Sequence, residues 1–379
     1  MRIRTINIIK FLILKKDLFI RDLTYSIYLS YMSKSIKKEI GQLIIAGFRG
    51  TSINDKSDIV KFIKNYNLAG VILYDEDLEL RGPGSRNITS PSQLKQLVED
   101  LQSQTEKSLL ISVDQEGGEV HRLKSIYGFL ETPSWNQIGS LDNELMTKQF
   151  SENMVKDLSG VGINLNFAPV IDLDYGKGTV ISDTNRAFSH DTDILIKHTQ
   201  LFIDAHKSKG IMTSGKHFPG LGSASTDTHE GYTDISETWS VKDLHPFNEL
   251  IKTNSLDSIM VSHALDKKID SEYPASLSKK IIQGILRKDL GFKGIIICDD
   301  PSMRAISDHY SLKEIFELML NAGIDLFCLG NNLIYDQDYI PKSIEAITEL
   351  ISEKKVSIER IRESIKRIDL IKMKYKLNV

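Results

Sequence analysis

The stretch GIMTSGKHFPGLGSASTDTH, residues 210–229, carries an apolar run into a loop rich in chemistry-bearing groups. Ile211 to Ser214 suit a buried strand, while Gly215, Gly220, Gly222 and Pro219 make the residues after it a shaped loop rather than a helix. Lys216 and His217 stand where the strand gives way, and an Asp-x-His pair, Asp227 and His229, comes further on. Residues two apart in an extended segment point the same way, so this carboxylate and imidazole can meet. Such a pair is how proteins build a proton-transfer group. Taken alone it is more often a structural hydrogen bond or a chance neighbour. His217, Asp227, His229 and His263 are also plausible metal-ligand types. Against a metal, the chain has neither an HExxH helix nor a paired Cys/His spacing. No metal and no cofactor are therefore expected.

Working outward, seven further β-rich runs alternate with amphipathic stretches. The full set is Leu43–Phe48, Gly70–Tyr74, Leu109–Asp114, Ile163–Asp172, Ile211–Lys216, Ser258–His263, Gly294–Asp299 and Ile324–Gly330. Helical patterns such as Ser92–Thr105, Met146–Ser159 and Asp193–Lys209 lie between them. Strand and crossover helix in alternation predict a parallel sheet. That number of units fits one α/β domain, a (β/α)8 TIM-type barrel with no second sandwich domain. A doubly wound open sheet is the alternative, but no GxGxxG opens a helix after the first strand. Asp114, Asp172, Lys216, His217, His263 and Asp299 fall at or just past the ends of five runs. A barrel collects those ends on one face, where barrel active sites are built. Near that face, Asp75–Ser90 reads as a turn-rich excursion that walls a pocket. The C-terminal SIERIRESIKRIDLIKMKYKLNV repeats Ile358, Ile361, Ile365 and Ile368 at helical spacing and reads as a closing helix.

Composition narrows the partners. Across 379 residues, 48 Lys+Arg nearly balance 51 Asp+Glu, a net charge of −3 that gives no global field for nucleic acid or an anionic membrane. Cys298 and Cys328 both end apolar runs and read as small core residues; no disulfide framework is present, which fits a reducing compartment. The patch Ile8–Leu14 is too short and too interrupted by lysines to span a bilayer. Residues 1–34 are read as an extension of unknown role, with Met32 a candidate start, and 35–379 as the catalytic barrel with its closing helix. A monomer is the expected state.

Beyond the barrel pattern, the chain resembles glycoside hydrolase family three, in particular its single-domain β-N-acetylhexosaminidases. The likeness rests on IGQLIIAGF near residue 40, VDQEGGEVHRL at 113–123, LNFAPVIDL at 165–173 and NRAF at 185–188. KHFPG at 216–220, PASLS at 274–278 and LRKDLGFKGIIICDDPSM at 286–303 complete it. The resemblance implies that Asp299 is a carboxylate nucleophile, His229 the general acid/base and Asp227 its partner. It implies that Asp114, Arg122, Arg186, Lys216 and His217 grip an N-acetylglucosamine unit and that no metal takes part; because His229 lies on a Gly-rich loop, that loop is expected to close over substrate. Removal of terminal β-linked N-acetylglucosamine from muropeptides or other short fragments, in the cytoplasm, is the activity it leads one to expect. A broad β-glycosidase, a glycosyl phosphorylase and a non-catalytic sugar-binding module are the alternatives. Three departures from the family pattern motivate the last: Leu221 and Ser223 in the loop, and Glu119 where a basic residue is usual. Pro301 after the aspartate pair is a further departure.

Overall fold

The computed structural model describes residues 34–379, so all but the last residue of the proposed N-terminal extension lies outside the described residues. Eight parallel strands close on themselves in sequence order: β1 (Ile44–Gly47), β2 (Gly70–Ile72), β3 (Leu110–Val113), β4 (Leu165–Asn166), β5 (Met212–Phe218), β6 (Ser258–Val261), β7 (Ile295–Cys298) and β8 (Leu326–Leu329). Parallel pairing runs from Ile45 against Gly70 round to Ala46 against Leu329, which closes the ring. The barrel expected from the alternating runs is thus the fold.

Strand alternation sorts side chains between two cores. Ile45, Ile72, Leu110, Leu165, Met212, Ile295 and Ile297 fill the barrel interior. Their neighbours Ile44, Val71, Ile111, Ile296 and Cys298 face the surrounding helices. That outer layer contains α1 (Asp58–Tyr66), α2 (Pro91–Gln102), α3 (Trp135–Leu141), α4 (Glu144–Gly160), α5 (Thr192–Ser208), α6 (His245–Lys252), the π-wound α7 (Lys280–Asp289), α8 (Leu312–Ala322), α9 (Tyr339–Ser352) and α10 (Ile358–Lys374). Because both faces of every strand are covered, the strands read as continuous apolar runs.

The predicted closing helix is α10. Ile368, with Ile371, Tyr375 and Leu377, packs against the interior core. Lys372 donates to the carbonyls of Ala69 and Ser108, just ahead of β2 and β3, so this helix and the residues after it stopper the N-terminal mouth. Among the described residues this leaves the opposite mouth as the open one. Among the described residues no helix is long and apolar enough to cross a membrane.

One expectation needs correction. His217 does not follow the fifth strand; β5 runs on past the expected end at Lys216 to Phe218 and carries both residues within it. The extension exists because residues 168–172 continue alongside β5 after β4 ends. Ser214 and Lys216 donate to the carbonyls of Ala168 and Pro169, and Ile171 donates to that of Lys216. Pro169 has no N–H for a regular ladder, which is why β4 proper is so short.

The helix α10 is anchored by Asp325, fully buried at the entry to β8. Its carboxylate accepts from Arg287, from Arg360 and Arg367 at 3.1 Å each, and from Ser364 at 2.8 Å. Removing one member of a buried ion cluster leaves uncompensated charge. Asp325→Asn is therefore expected to cost about 3–5 kcal/mol of unfolding free energy. Urea denaturation measures it, and a loss below about 1 kcal/mol would contradict the role given to this carboxylate.

Candidate active site

The open mouth holds a cavity of about 230 Å³. Ile72, Phe167, Met260 and Cys328, members of the interior core, form its floor. Asp114, Arg122, Arg186, Lys216, His217, His229 and Asp299 all line it, so seven of the eight residues to which the resemblance gives a role meet in one place. The eighth, Asp227, stands behind His229 and accepts from its Nδ1 at 2.7 Å and its backbone N–H at 2.9 Å.

One buried group of the cavity is not singled out by motif reading. Glu116, 4 % exposed, accepts from Nε and one terminal nitrogen of Arg186 at 2.8 and 2.9 Å and lies 2.6 Å from Lys216 Nζ. Burial works against its charge, but Arg186 and Lys216 outweigh that and hold it well below the usual carboxylate range. Lys216 also donates to Asp114 at 2.9 Å; burial opposes the ammonium, and Asp114 and Glu116 raise its pKa nonetheless. Arg122 is looser, 3.8 Å from Asp114, with its guanidinium 5.6 Å from the centroid of the Tyr74 ring. Arg186 spends one fork on Glu116 and His217, leaving its other terminal nitrogen without a protein partner among the described residues.

His217 is locked. Asp172 accepts from its Nδ1 at 2.6 Å, and its Nε2 lies 3.2 Å from Arg186. A guanidinium can only donate, so Nε2 accepts and Nδ1 carries the proton. The same Asp172 accepts from the backbone of His217 and from Leu221 N–H at 2.7 Å, fixing the loop after β5. Gly222 in that loop lies directly against the Leu173 carbonyl, where any Cβ would collide with backbone. The departure Leu221 is buried and serves through its N–H, Ser223 is buried too, and Glu119 is exposed and lines nothing in the cavity.

His229 differs from His217. Its side chain is half exposed, and Nε2 has no partner among the described residues. Partial burial opposes its charge, while the Asp227 hydrogen bond and the negative Asp299 raise its pKa above the ordinary imidazole value. Asp227 is lowered to about 2, chiefly by that hydrogen bond. The loop is held toward β7, with Thr228 C=O accepting from Ala305 N–H at 3.2 Å. Asp299 sits just beyond β7, where Asp300 N–H donates to its Oδ1 at 2.9 Å. Burial pushes its pKa up, yet His263, His229 and His217 with that N–H bring it below the usual value. Neighbouring Asp300 goes the other way, raised by burial and by Asp299.

The 75–90 excursion does wall the cavity, through Asp75, Glu76 and Leu78. Buried Arg86 staples it to the segment after β8 by donating to Asp77, Asn332 and the carbonyls of Gly330 and Asn331. Among the described residues no group of three or more His, Cys, Asp or Glu is arranged to hold a metal ion.

Comparison with known proteins gives a consistent picture. The description "Glycosyl hydrolase family 3 N terminal domain" matches residues 35–371. A beta-hexosaminidase of Hydrogenovibrio crunogenus is 37% identical over 274 residues, covering 70% of this chain and 72% of the relative. One from Nitrosomonas eutropha is 34% identical over 278 residues, with 70% and 74% covered. Among solved structures, a family 3 β-N-acetylglucosaminidase from Paenibacillus superposes with a TM-score of 0.80 at 28% identity, covering 90% of this chain and 62% of that one.

The charge pairing predicts a graded response to neutralisation. Glu116→Gln leaves Arg186 and Lys216 short of buried counter-charge and is expected to cost about 3 kcal/mol of stability. Asp114→Asn, at a partly exposed carboxylate, is expected to cost less than half as much. Equal losses in chemical denaturation would show that burial of Glu116 does not set its weight.

Proposed function

The chain belongs to glycosyl hydrolase family 3, and from that premise we propose that it is a retaining β-N-acetylhexosaminidase. It removes terminal, non-reducing β-linked N-acetylglucosamine through a covalent glycosyl-enzyme intermediate. The observation that carries the reading is a half-exposed imidazole, His229, backed by Asp227 and sharing one cavity with the partly buried carboxylate Asp299.

Those groups suffice for the chemistry. In the first step an oxygen of Asp299 attacks C1 of the sugar and the glycosidic C–O bond breaks. The leaving oxygen takes the proton of His229 Nε2, the nitrogen that Asp227 leaves free. In the second step water attacks C1, His229 takes its proton, and the ester bond to Asp299 breaks. An oxocarbenium-like centre develops positive charge, which an ionised Asp299 stabilises from below. Arg122, the free terminal nitrogen of Arg186 and Lys216 supply donors for sugar hydroxyls and the acetamido carbonyl, and Asp114 accepts. His217 acts through Arg186, because both of its nitrogens are already engaged.

We assign residues 35–379 as one catalytic unit and short GlcNAc-containing fragments, muropeptides among them, as its substrates. Recycling of such fragments places the protein in the cytoplasm, and the free thiols of Cys298 and Cys328 are compatible with that compartment.

Hydrolysis of p-nitrophenyl β-N-acetylglucosaminide beside the β-glucoside tests the assignment. The first should turn over, and Asp299→Asn should lower its kcat by on the order of 10³-fold or more. Preference for the glucoside would overturn the sugar assignment, and an active Asp299→Asn the nucleophile. The pH profile is an independent check. His229 must carry its proton for the first step, so kcat/KM should fall as pH rises through its raised pKa. Asp227→Asn removes one of the two carboxylates that raise it and should move that alkaline limb to lower pH; an unmoved limb would assign the acid elsewhere.

A further inference from the structure

His263 and the PASLS segment take no part in that chemistry, although His263 ends at the nucleophile's back. The imidazole is 1 % exposed. Its Nε2 lies 3.1 Å from the carbonyl oxygen of Asp300 and its Nδ1 lies 2.7 Å from Ser276 Oγ. A carbonyl can only accept, so Nε2 bears the proton. Nδ1 is then an acceptor, and the Ser276 hydroxyl donates to it. Each nitrogen has one partner of the matching kind, and the neutral tautomer is fixed.

Ser276 is itself held. Its N–H donates to the Ser262 carbonyl at 3.1 Å, and the neighbouring Ala275 N–H to the Ala264 carbonyl at 2.8 Å. The turn Ala275–Leu277 thus grips the chain on both sides of His263. At the other end, the carbonyl that His263 grips belongs to Asp300, whose own N–H, one peptide unit earlier, binds Asp299 Oδ1 at 2.9 Å. Pro301 comes next and offers no N–H of its own to steady that carbonyl's peptide.

We propose that His263 is a positioning residue for Asp299, with Ser276 setting its tautomer. The relay runs from Ser276 O–H to His263 Nδ1, from Nε2–H to the Asp300 carbonyl, and from Asp300 N–H to Oδ1 of the nucleophile. It holds one carboxylate oxygen and leaves the other to attack C1. The same N–H remains bonded to Oδ1 once the ester has formed, so the geometry serves both steps. This rests on the reading of Asp299 as the nucleophile.

The test compares two amides that each imitate one ring nitrogen. Glutamine places its N–H near Nε2 and keeps the bond to Asp300; asparagine reaches only the Nδ1 position. On p-nitrophenyl β-N-acetylglucosaminide, H263N should lose on the order of 10–100-fold in kcat with KM little changed, as a misplaced reacting group does. H263Q should recover most of that loss, and Ser276→Ala should fall between. Melting temperatures taken alongside separate this from unfolding. Wild-type kcat in H263N, a loss confined to KM, or H263Q no better than H263N would each overturn the proposal. Should H263N not fold, ¹⁵N chemical shifts of His263 in the intact protein decide: a ring protonated at Nδ1, or on both nitrogens, at neutral pH breaks the relay. An Asp299→Asn enzyme with full activity removes the premise, and with it this inference; an inactive one beside unaffected His263 variants removes this inference alone.

Discussion

The site depends on one buried carboxylate, that of Asp172. Alone in a dry interior its charge would cost several kcal/mol. Here the His217 backbone and ring and Leu221 N–H all donate to it. Satisfying that charge forces the segment after β4 to lie against β5 and forces the loop after β5 to turn back over Leu173. It also selects the His217 tautomer, which then presents a lone pair to Arg186. The position of the guanidinium, and so of its free nitrogen, is a consequence of what Asp172 needs.

Depth decides what the other carboxylates do. Glu116, a buried part of the cavity wall, is saturated by Arg186 and Lys216 and has little left to offer a ligand. Asp114, higher and partly exposed, holds Lys216 by one oxygen and Arg122 only loosely by the other. A ligand hydroxyl can compete for the second contact at small cost, because a long, partly solvated ion pair contributes little. One acid therefore organises the cations, and the other shares them.

Much of this is legible in the chain. Alternating apolar runs give eight strands because both faces of each are buried, and the isoleucine spacing gives α10 because only one stripe of it meets the barrel. Strand limits are less legible: the run through Asp172 looks continuous, and only Pro169 hints that the ladder ends early. Glu116 stands inside a recognised motif without being marked by it, since an acid next to a glycine pair looks like an ordinary turn. Its EGG context at a strand end is the available signal. His263 looks like a ligand until both of its nitrogens prove engaged. Asp325 cannot be read at all: Arg287, Arg360 and Arg367 reach it only once the barrel has closed and α10 has crossed its base.

The two Asp–His pairs separate what an aspartate partner does for a histidine from what it does not. Asp172–His217 and Asp227–His229 share the Nδ1 contact at nearly equal length, 2.6 and 2.7 Å. In His217 the second nitrogen accepts from a guanidinium, which forbids a proton there and removes the ring from acid–base work. In His229 the second nitrogen is free, the ring is half exposed, and two carboxylates favour its charged form. Pairing with an aspartate therefore does not by itself make a histidine an acid. The difference lies in the second nitrogen's neighbour, an always-charged donor in one case and open cavity in the other.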